Sequence, residues 1–441
     1  MNTYNANQTS KGKNKFDINL DIFLNKFTQT TDFPTLDAMY YIMERLGNPH
    51  QKLKFVHIAG TNGKGSIVEM LNKIILCSKK YIVGKFISPH LLTSNESIQI
   101  NNKSITPNQV EKYIPIFENI ASDYLKETGR CLTRFEVLTS MAILYFFENK
   151  CDIVILEVGL GGMYDCTNIV KPIVSAFGNI SFDHMAILGN TLEEIALQKA
   201  GIIKENSNTV IFEQPSLNTI KKVCLEKHNN LVCIKNNDIS NYHSDKLFQY
   251  FTYKDTKYCI NLKGKKQIEN AVVVLEIIKI LQKENFDIPK EAIFSGLKSV
   301  YHPARFEILK TNPMFIYDGA HNKDAMINLI ETIKENYNSN DKTFIISIIQ
   351  TKDYKTLINL LLNAFENSTF IFTSGFGSEH KFFSSDTLYD YAISLNSNNI
   401  LEKEKFDIAI ENSLKNLDTN TINFIIGSFY TYQKAKELLN A

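Results

Sequence analysis

"LKFVHIAGTNGKGSIVEMLNKIILCSKK", residues 53–80, decides the fold. Its first eight residues are a largely apolar run that stops at Gly60, which reads as a buried strand. From Ser66 to Lys80 apolar residues return at helical spacing. The connection between them is "GTNGKGS". A strand, a glycine-rich turn and a helix form the repeating unit of a parallel α/β sheet. Gly60, Gly63 and Gly65 permit positive φ and close backbone approach. A helix starting near Lys64–Ser66 aims its N–H groups and its positive end at an anion. Lys64 adds a mobile cation, and Ser66 or Thr61 offers a hydroxyl to a metal ion. The common phosphate loop is G-x-x-x-x-G-K-[ST]. Here Ile58 stands in the first glycine slot and the hydroxyl arrives one place late, at Ser66. The competing reading is a glycine-rich turn beside a surface lysine.

Outward from this unit the pattern repeats. "YIVGKFI", "DIVILEVGLGG" and "IVSAFGNI" read as further strands. After "KSVYHPARFEI" it restarts, with strands at "MFIYDGAHN", "KTFIISIIQ", "STFIFTS" and "TINFIIGSF" and helices at "KDAMINLIETIKENY" and "KTLINLLLNAFEN". The expected fold is α/β. A P-loop-type ATPase domain with a parallel-rich sheet spans 17–302, and a smaller Rossmann-like domain spans 303–441. Residues 1–16 are polar and read as an unstructured tail. The stretch 231–262 has weak periodicity and reads as a hairpin excursion at the end of the first domain.

Composition narrows the class. Lys+Arg is 48 against Asp+Glu 47, so no global basic field points to nucleic acid. No run approaches the 18 or so apolar residues of a membrane span. The seven cysteines show no C-x-x-C and no zinc-type pairing. Reduced thiols in a cytoplasmic protein are the expectation.

Further candidates fall at strand ends, where open α/β sheets bind ligands. Glu157 closes "DIVILE", and a carboxylate there suits Mg²⁺, which prefers oxygen ligands. Asp183–His184 follows "IVSAFGNI", and Ser88–Pro89–His90 follows "YIVGKFI". Any one of these alone reads as an ordinary solvated or packed side chain; four on one rim read as a nucleotide and metal site.

Together with "LTRFEVLT", "LEVGLGGMYDCTN", "NISFDHMAILGNT", "QKAGIIK", "QIENA", "HPARFE", "YDGAHN" and "TKDY", these elements resemble the folylpolyglutamate synthase/dihydrofolate synthase family. That family lies in the amide-ligase superfamily shared with Mur-type ligases. "GTNGKGS" marks only the superfamily; "SPHL", "LTRFE" and "EVGLGG" point to the folate branch. The resemblance implies that Gly60, Thr61, Asn62, Gly63, Lys64, Gly65 and Ser66 cradle ATP phosphates. It implies that Asn270, Arg305 and Asp318 contact the nucleotide. Ser66, Ser88, Glu157 and His184 would hold Mg²⁺, with two ions expected, aided by Lys199 as a carbamate. Thr133, Phe135, Glu136 and Asp165 would receive the pterin part of the substrate. Lys64, Lys199, Arg305 and His321 would carry the chemistry. Where the family reads "GGRLDATN", "EKAG" and "PGR", this chain has Met163, Gln198 and Ala304.

The implied reaction adds L-glutamate to dihydropteroate, or to the glutamate tail of a tetrahydrofolate, through an acyl phosphate. A monomer acting on small molecules, away from nucleic acid and membrane, is expected. The rivals are a Mur-type ligase for a UDP-linked peptide, a non-catalytic nucleotide-binding homologue and a simple NTPase. A Mur-type ligase would carry a further domain before the loop, which here begins at residue 57.

Overall fold

The structure is a computed structural model that describes residues 18–28, 35–245, 247–376, 381–416, 418 and 420–440. The polar stretch 1–16, expected as a tail, lies outside the described residues.

The first sheet has eight strands: β1 (Phe55–Ala59), β2 (Val83–Phe86), β3 (Ile98–Ile100), β4 (Lys103–Ser104), β5 (Ile153–Glu157), β6 (Val174–Phe177), β7 (Asn208–Phe212) and β8 (Asn230–Ile234). Their order is β4-β3-β2-β5-β1-β6-β7-β8. Every pairing from β2 to β8 is parallel; only the β3 and β4 edge is antiparallel. The central strands β1, β2, β5 and β6 are buried at every residue. That is why they read as continuous apolar runs and not as alternating ones. Helices Lys64–Ser78 and Lys265–Lys283 cover one face through Ile67, Ile74, Val272 and Leu275. Helix Arg134–Glu148 covers the other through Val137, Met141 and Phe146.

A three-stranded antiparallel sheet follows, β9 (Ile239–Ser244), β10 (Gln249–Tyr253) and β11 (Thr256–Ile260), in the order β11-β10-β9. The stretch expected as one hairpin therefore divides. Its start is the edge strand β8 of the main sheet, and the remainder is a separate small sheet. Phe251 and Tyr253 anchor that sheet in the main core, and Tyr242 donates to Glu335 of the second unit at 2.8 Å.

The last sheet has six strands: β12 (Glu307–Thr311), β13 (Met314–Asp318), β14 (Asp341–Ile346), β15 (Thr369–Ser374), β16 (Ile400–Lys405) and β17 (Thr421–Ile426). The order is β12-β13-β17-β14-β15-β16, parallel except for β12. It has its own core, built on Phe344, Phe370, Phe372 and Phe424.

In the first sheet β1 lies between β5 and β6, so the turns leaving these strands and β2 open on one rim. The carboxyl end of β13 faces that rim: Asn322, just beyond it, bonds Asn62 in the turn after β1.

Candidate active site

The turn after β1 is held open by the turn after β6. Thr61 and Asn62 donate their backbone N–H groups to the Asn179 carbonyl at 2.7 and 3.1 Å. The Thr61 hydroxyl donates to the Ser181 carbonyl at 2.9 Å and accepts from the Ser181 N–H at 3.0 Å. Gly60 (φ +145°) passes so close to Gly178 that a Cβ would sit 3.1 Å from its backbone. Gly63 (φ +89°) caps helix Lys64–Ser78, and a Cβ there would stand 2.6 Å from Asn270 Oδ1. The glycines are therefore fixed by geometry, not by flexibility alone.

Two cavities meet at this loop. The smaller, about 500 Å³, is lined by Asn62, Gly63, Ser66, Asn270, Arg305 and Asp318, with Phe177, Phe212 and Val273 as an apolar wall. The larger, about 920 Å³, is lined by Gly60 to Gly65, Ser88, Phe135, Glu157, His184, Lys199, Arg305 and His321. Asn62, Gly63 and Arg305 belong to both.

The larger cavity brings buried cations and carboxylates together. Lys64 Nζ folds back onto its own loop, donating to the carbonyls of Gly60 (3.1 Å) and Thr61 (3.4 Å). Burial lowers its pKa, with Glu157 opposing. Burial pushes Glu157 up to about 7 against the pull of Lys64. Its bond from the Ser88 N–H is long, at 3.4 Å. Lys199, 3 % exposed, donates to the Gly60 carbonyl at 3.1 Å. Burial, then the neighbouring Lys64, bring it down to about 7. Burial opposes the ionisation of Asp183, but Lys352, 2.7 Å away, wins and holds the carboxyl down to about 2. Burial keeps His321 neutral, with a pKa of about 4. Its Nδ1 lies 2.8 Å from the Gly319 carbonyl; a carbonyl only accepts, so the ring proton sits on Nδ1 and the Nε2 lone pair is left free.

Residues 58–278 match the Mur ligase middle domain and residues 304–379 the dihydrofolate synthetase C-terminal domain. A dihydrofolate synthase/folylpolyglutamate synthase of Bacillus subtilis is 35 % identical over 350 residues, covering 74 % of this chain and 78 % of that protein. The chain belongs to the dihydrofolate synthase/folylpolyglutamate synthase family. The dihydrofolate synthetase of Saccharomyces cerevisiae is 32 % identical over the same 74 % of this chain and 78 % of its own length. The crystal structure of folylpolyglutamate synthase from Thermotoga maritima superposes with a TM-score of 0.79 at 31 % identity, over 96 % of each chain. These enzymes are ATP-dependent folate glutamate ligases of the Mur ligase family.

Within this folate-ligase framework the expected residues fall into three groups. The loop, Ser88, Glu157, His184, Lys199, Arg305, His321 and Phe135 line the larger cavity, and Asn270 and Asp318 the smaller. Ser66 opens to the smaller cavity, its Oγ 3.1 Å from His302 Nδ1. Thr133, Glu136 and Asp165 are buried behind the wall. Thr133 and Glu136 form the capping box of helix Arg134–Glu148, with Glu136 paired to Arg130 at 2.5 Å. Asp165 caps the turn Cys166–Ile169 and accepts from the Leu160 N–H at 2.8 Å.

Mg²⁺ fits the donors at one corner. Ser88 Oγ is buried with no hydrogen-bond partner, beside a carboxylate that burial makes hard to ionise. A cation there would satisfy both. Among the described residues no three His, Cys, Asp or Glu side chains form a metal cluster. Sequence reasoning missed Lys352, Phe429 and His302. Lys352 lay in view in "TKDY", but its partner Asp183 is 169 residues away.

Proposed function

We propose that this ligase transfers the γ-phosphoryl of ATP to the carboxylate of dihydropteroate or a folate, then joins L-glutamate to the activated carbon. The observation that carries this reading is the pair of cavities meeting at the phosphate loop, with Arg305 on their common wall. One has an apolar wall for a base. The other has room for an acceptor and an amino acid beside Lys64, Lys199 and His321.

A carboxylate oxygen attacks the γ-phosphorus and ADP departs, leaving an acyl phosphate. The α-amine of glutamate attacks its carbonyl carbon and inorganic phosphate leaves. His321, neutral with Nε2 unprotonated, is placed to take the proton released by the amine. Lys64 and Arg305 offset charge on the transferring group, which needs positioning and neutralisation more than a covalent nucleophile. Mg²⁺, held by Ser88 and Glu157 with His184 on the same rim, would supply Lewis-acid neutralisation of phosphate oxygens. Lys199 is half neutral near pH 7, and its free amine can react with CO₂ to a carbamate, turning a cation into an oxygen donor. The pterin packs against Phe135, with Thr133, Glu136 and Asp165 shaping that wall from behind. Residues 17–302 supply the nucleotide loop and acceptor wall, residues 303–441 close the site, and the enzyme acts as a monomer.

The test is phosphate release from ATP with and without each co-substrate. Release that requires both L-glutamate and dihydropteroate, or both L-glutamate and tetrahydrofolate, supports the reading. Release without either makes the protein a simple NTPase.

A further inference from the structure

Arg305 reaches the common wall of the two cavities by an unusual route. The residues on either side of it, Ala304 (φ +58°) and Phe306 (φ +47°), both have left-handed backbone, a conformation disfavoured for any residue with a Cβ. The bend is locked from outside. Phe306 donates its N–H to Asp318 at 2.9 Å, Ala304 donates to Glu307 at 2.7 Å and accepts from the Gly319 N–H at 3.0 Å. The backbone on either side of Arg305 is thus held, while Arg305 Nε is buried without a hydrogen-bond partner.

What the guanidinium does meet is a ring. Phe429, on the turn after β17, lies with its centroid 4.5 Å from Arg305 Cζ, well inside cation–π range. The same ring meets His321 edge-on at 5.4 Å and 69°. It also occupies the space a side chain at 319 would fill, since a Cβ on Gly319 would stand 2.1 Å from Phe429 Cε1. Two features of the turn after β13 therefore meet one ring: the missing Cβ of Gly319, and His321, whose tautomer the Gly319 carbonyl fixes. Phe429 lines the larger cavity.

We propose that Phe429 is a positioning residue for the phosphoryl-transfer end of the site. It holds the Arg305 guanidinium at the wall between nucleotide and acceptor and sets the plane of His321, and it touches neither reacting group itself. The ring face attracts the cation without offering an acceptor oxygen, so Arg305 stays oriented yet keeps its N–H donors for an anion. A carboxylate in this place would hold the arginine better and neutralise it. A leucine would fill the space and hold nothing. The inference rests on the reading of the common wall as the place where phosphate is handled.

The test compares F429L, F429A and F429Y in the full-length protein, with and without R305A. Binding of the ATP analogue AMPPCP is measured by calorimetry, and kcat and KM by phosphate release. F429L should weaken AMPPCP binding and lower kcat by about thirtyfold, the size of a desolvated cation–π contact. The KM for the folate should stay within about twofold, because Phe135 and its wall are untouched. F429Y, which keeps the ring, should restore most of the loss, and in the R305A background F429L should change AMPPCP binding no further. Wild-type activity in F429L, or an equal loss of AMPPCP binding with and without Arg305, overturns the assignment. Failure of the wild-type protein to bind AMPPCP would instead overturn the nucleotide reading beneath it, and the inference with it.

Discussion

Lys64 and Lys199 donate to the same oxygen, the Gly60 carbonyl, each at 3.1 Å. Burial, and then the second cation on the same acceptor, bring Lys199 down from 10.5 to about 7. Between those values the unfolded chain binds more protons than the folded one, so this group makes stability rise with pH across that window. K199M should therefore raise the urea midpoint at pH 6 in CO₂-free buffer, with the gain fading towards pH 10. An equal gain at both pH values would show that the ammonium is not strained.

The same neutral amine predicts a dependence on CO₂. Protein stripped of bicarbonate should lose most of its ligase activity and regain it on addition of bicarbonate, whereas K199A should be inactive and indifferent to bicarbonate. Full activity in the stripped wild type would remove the carbamate from the scheme.

Among the described residues Lys64 donates to carbonyls of its own loop, bonds it can exchange for a phosphate. K64A should lower kcat by at least about a hundredfold, the scale for losing one preorganised charge at a transition state. Near-normal phosphate release in this variant would move the phosphate site elsewhere.

G63A should be tolerated by neither backbone nor neighbour. The φ of +89° costs a residue with a Cβ about 1–2 kcal/mol, and Asn270 would have to leave its place. Calorimetry should show a loss of AMPPCP binding well beyond any loss of melting temperature.

Asp183 and Lys352 join the two sheets' units through a pair whose side chains are only 13 % and 8 % exposed. The folded carboxyl titrates at about 2 against its usual 3.8, so the unfolded chain binds more protons between these values. The pair's stability is present above pH 4 and is lost as pH falls through the folded value. D183N should leave a buried ammonium uncompensated, with a loss of about 3 kcal/mol in chemical denaturation at pH 7. A loss that persists unchanged in K352M would separate Asp183 from this role.

The architecture was readable where strands are buried on both faces. β1, β5, β6 and β17 are apolar at nearly every position because helices cover both sides. β16, "ILEKEK", is a half-exposed edge strand whose alternation is carried by charges, and β12 twists away beside a register shift; neither looks like a core strand in one dimension. The site divided along the same line. The glycine loop, Glu157 and Lys199 sit in local motifs and could be read from them. Phe429 and Lys352 act through partners more than a hundred residues away, and the roles of Thr133 and Glu136 as a helix cap are visible only once the helix has a start. Ala304 shows why a departure in sequence need not be one in structure: it adopts the left-handed backbone that a glycine would.

Asn322 links the phosphate loop to the second unit in a way that bears on turnover. Its Oδ1 accepts from the Ala325 N–H at 3.0 Å, capping helix Lys323–Tyr337, and also from Asn62 Nδ2 at 3.2 Å. If the cleft parts, the second bond breaks while the first remains, so the helix end does not fray. What must come undone includes a reciprocal pair of amides, the Asp183–Lys352 ion pair and the Tyr242–Glu335 bond, each worth far less than the covalent chemistry they enclose. Such a seam can shut around a full site and be released by the departure of phosphate, then reset with nothing refolded between cycles.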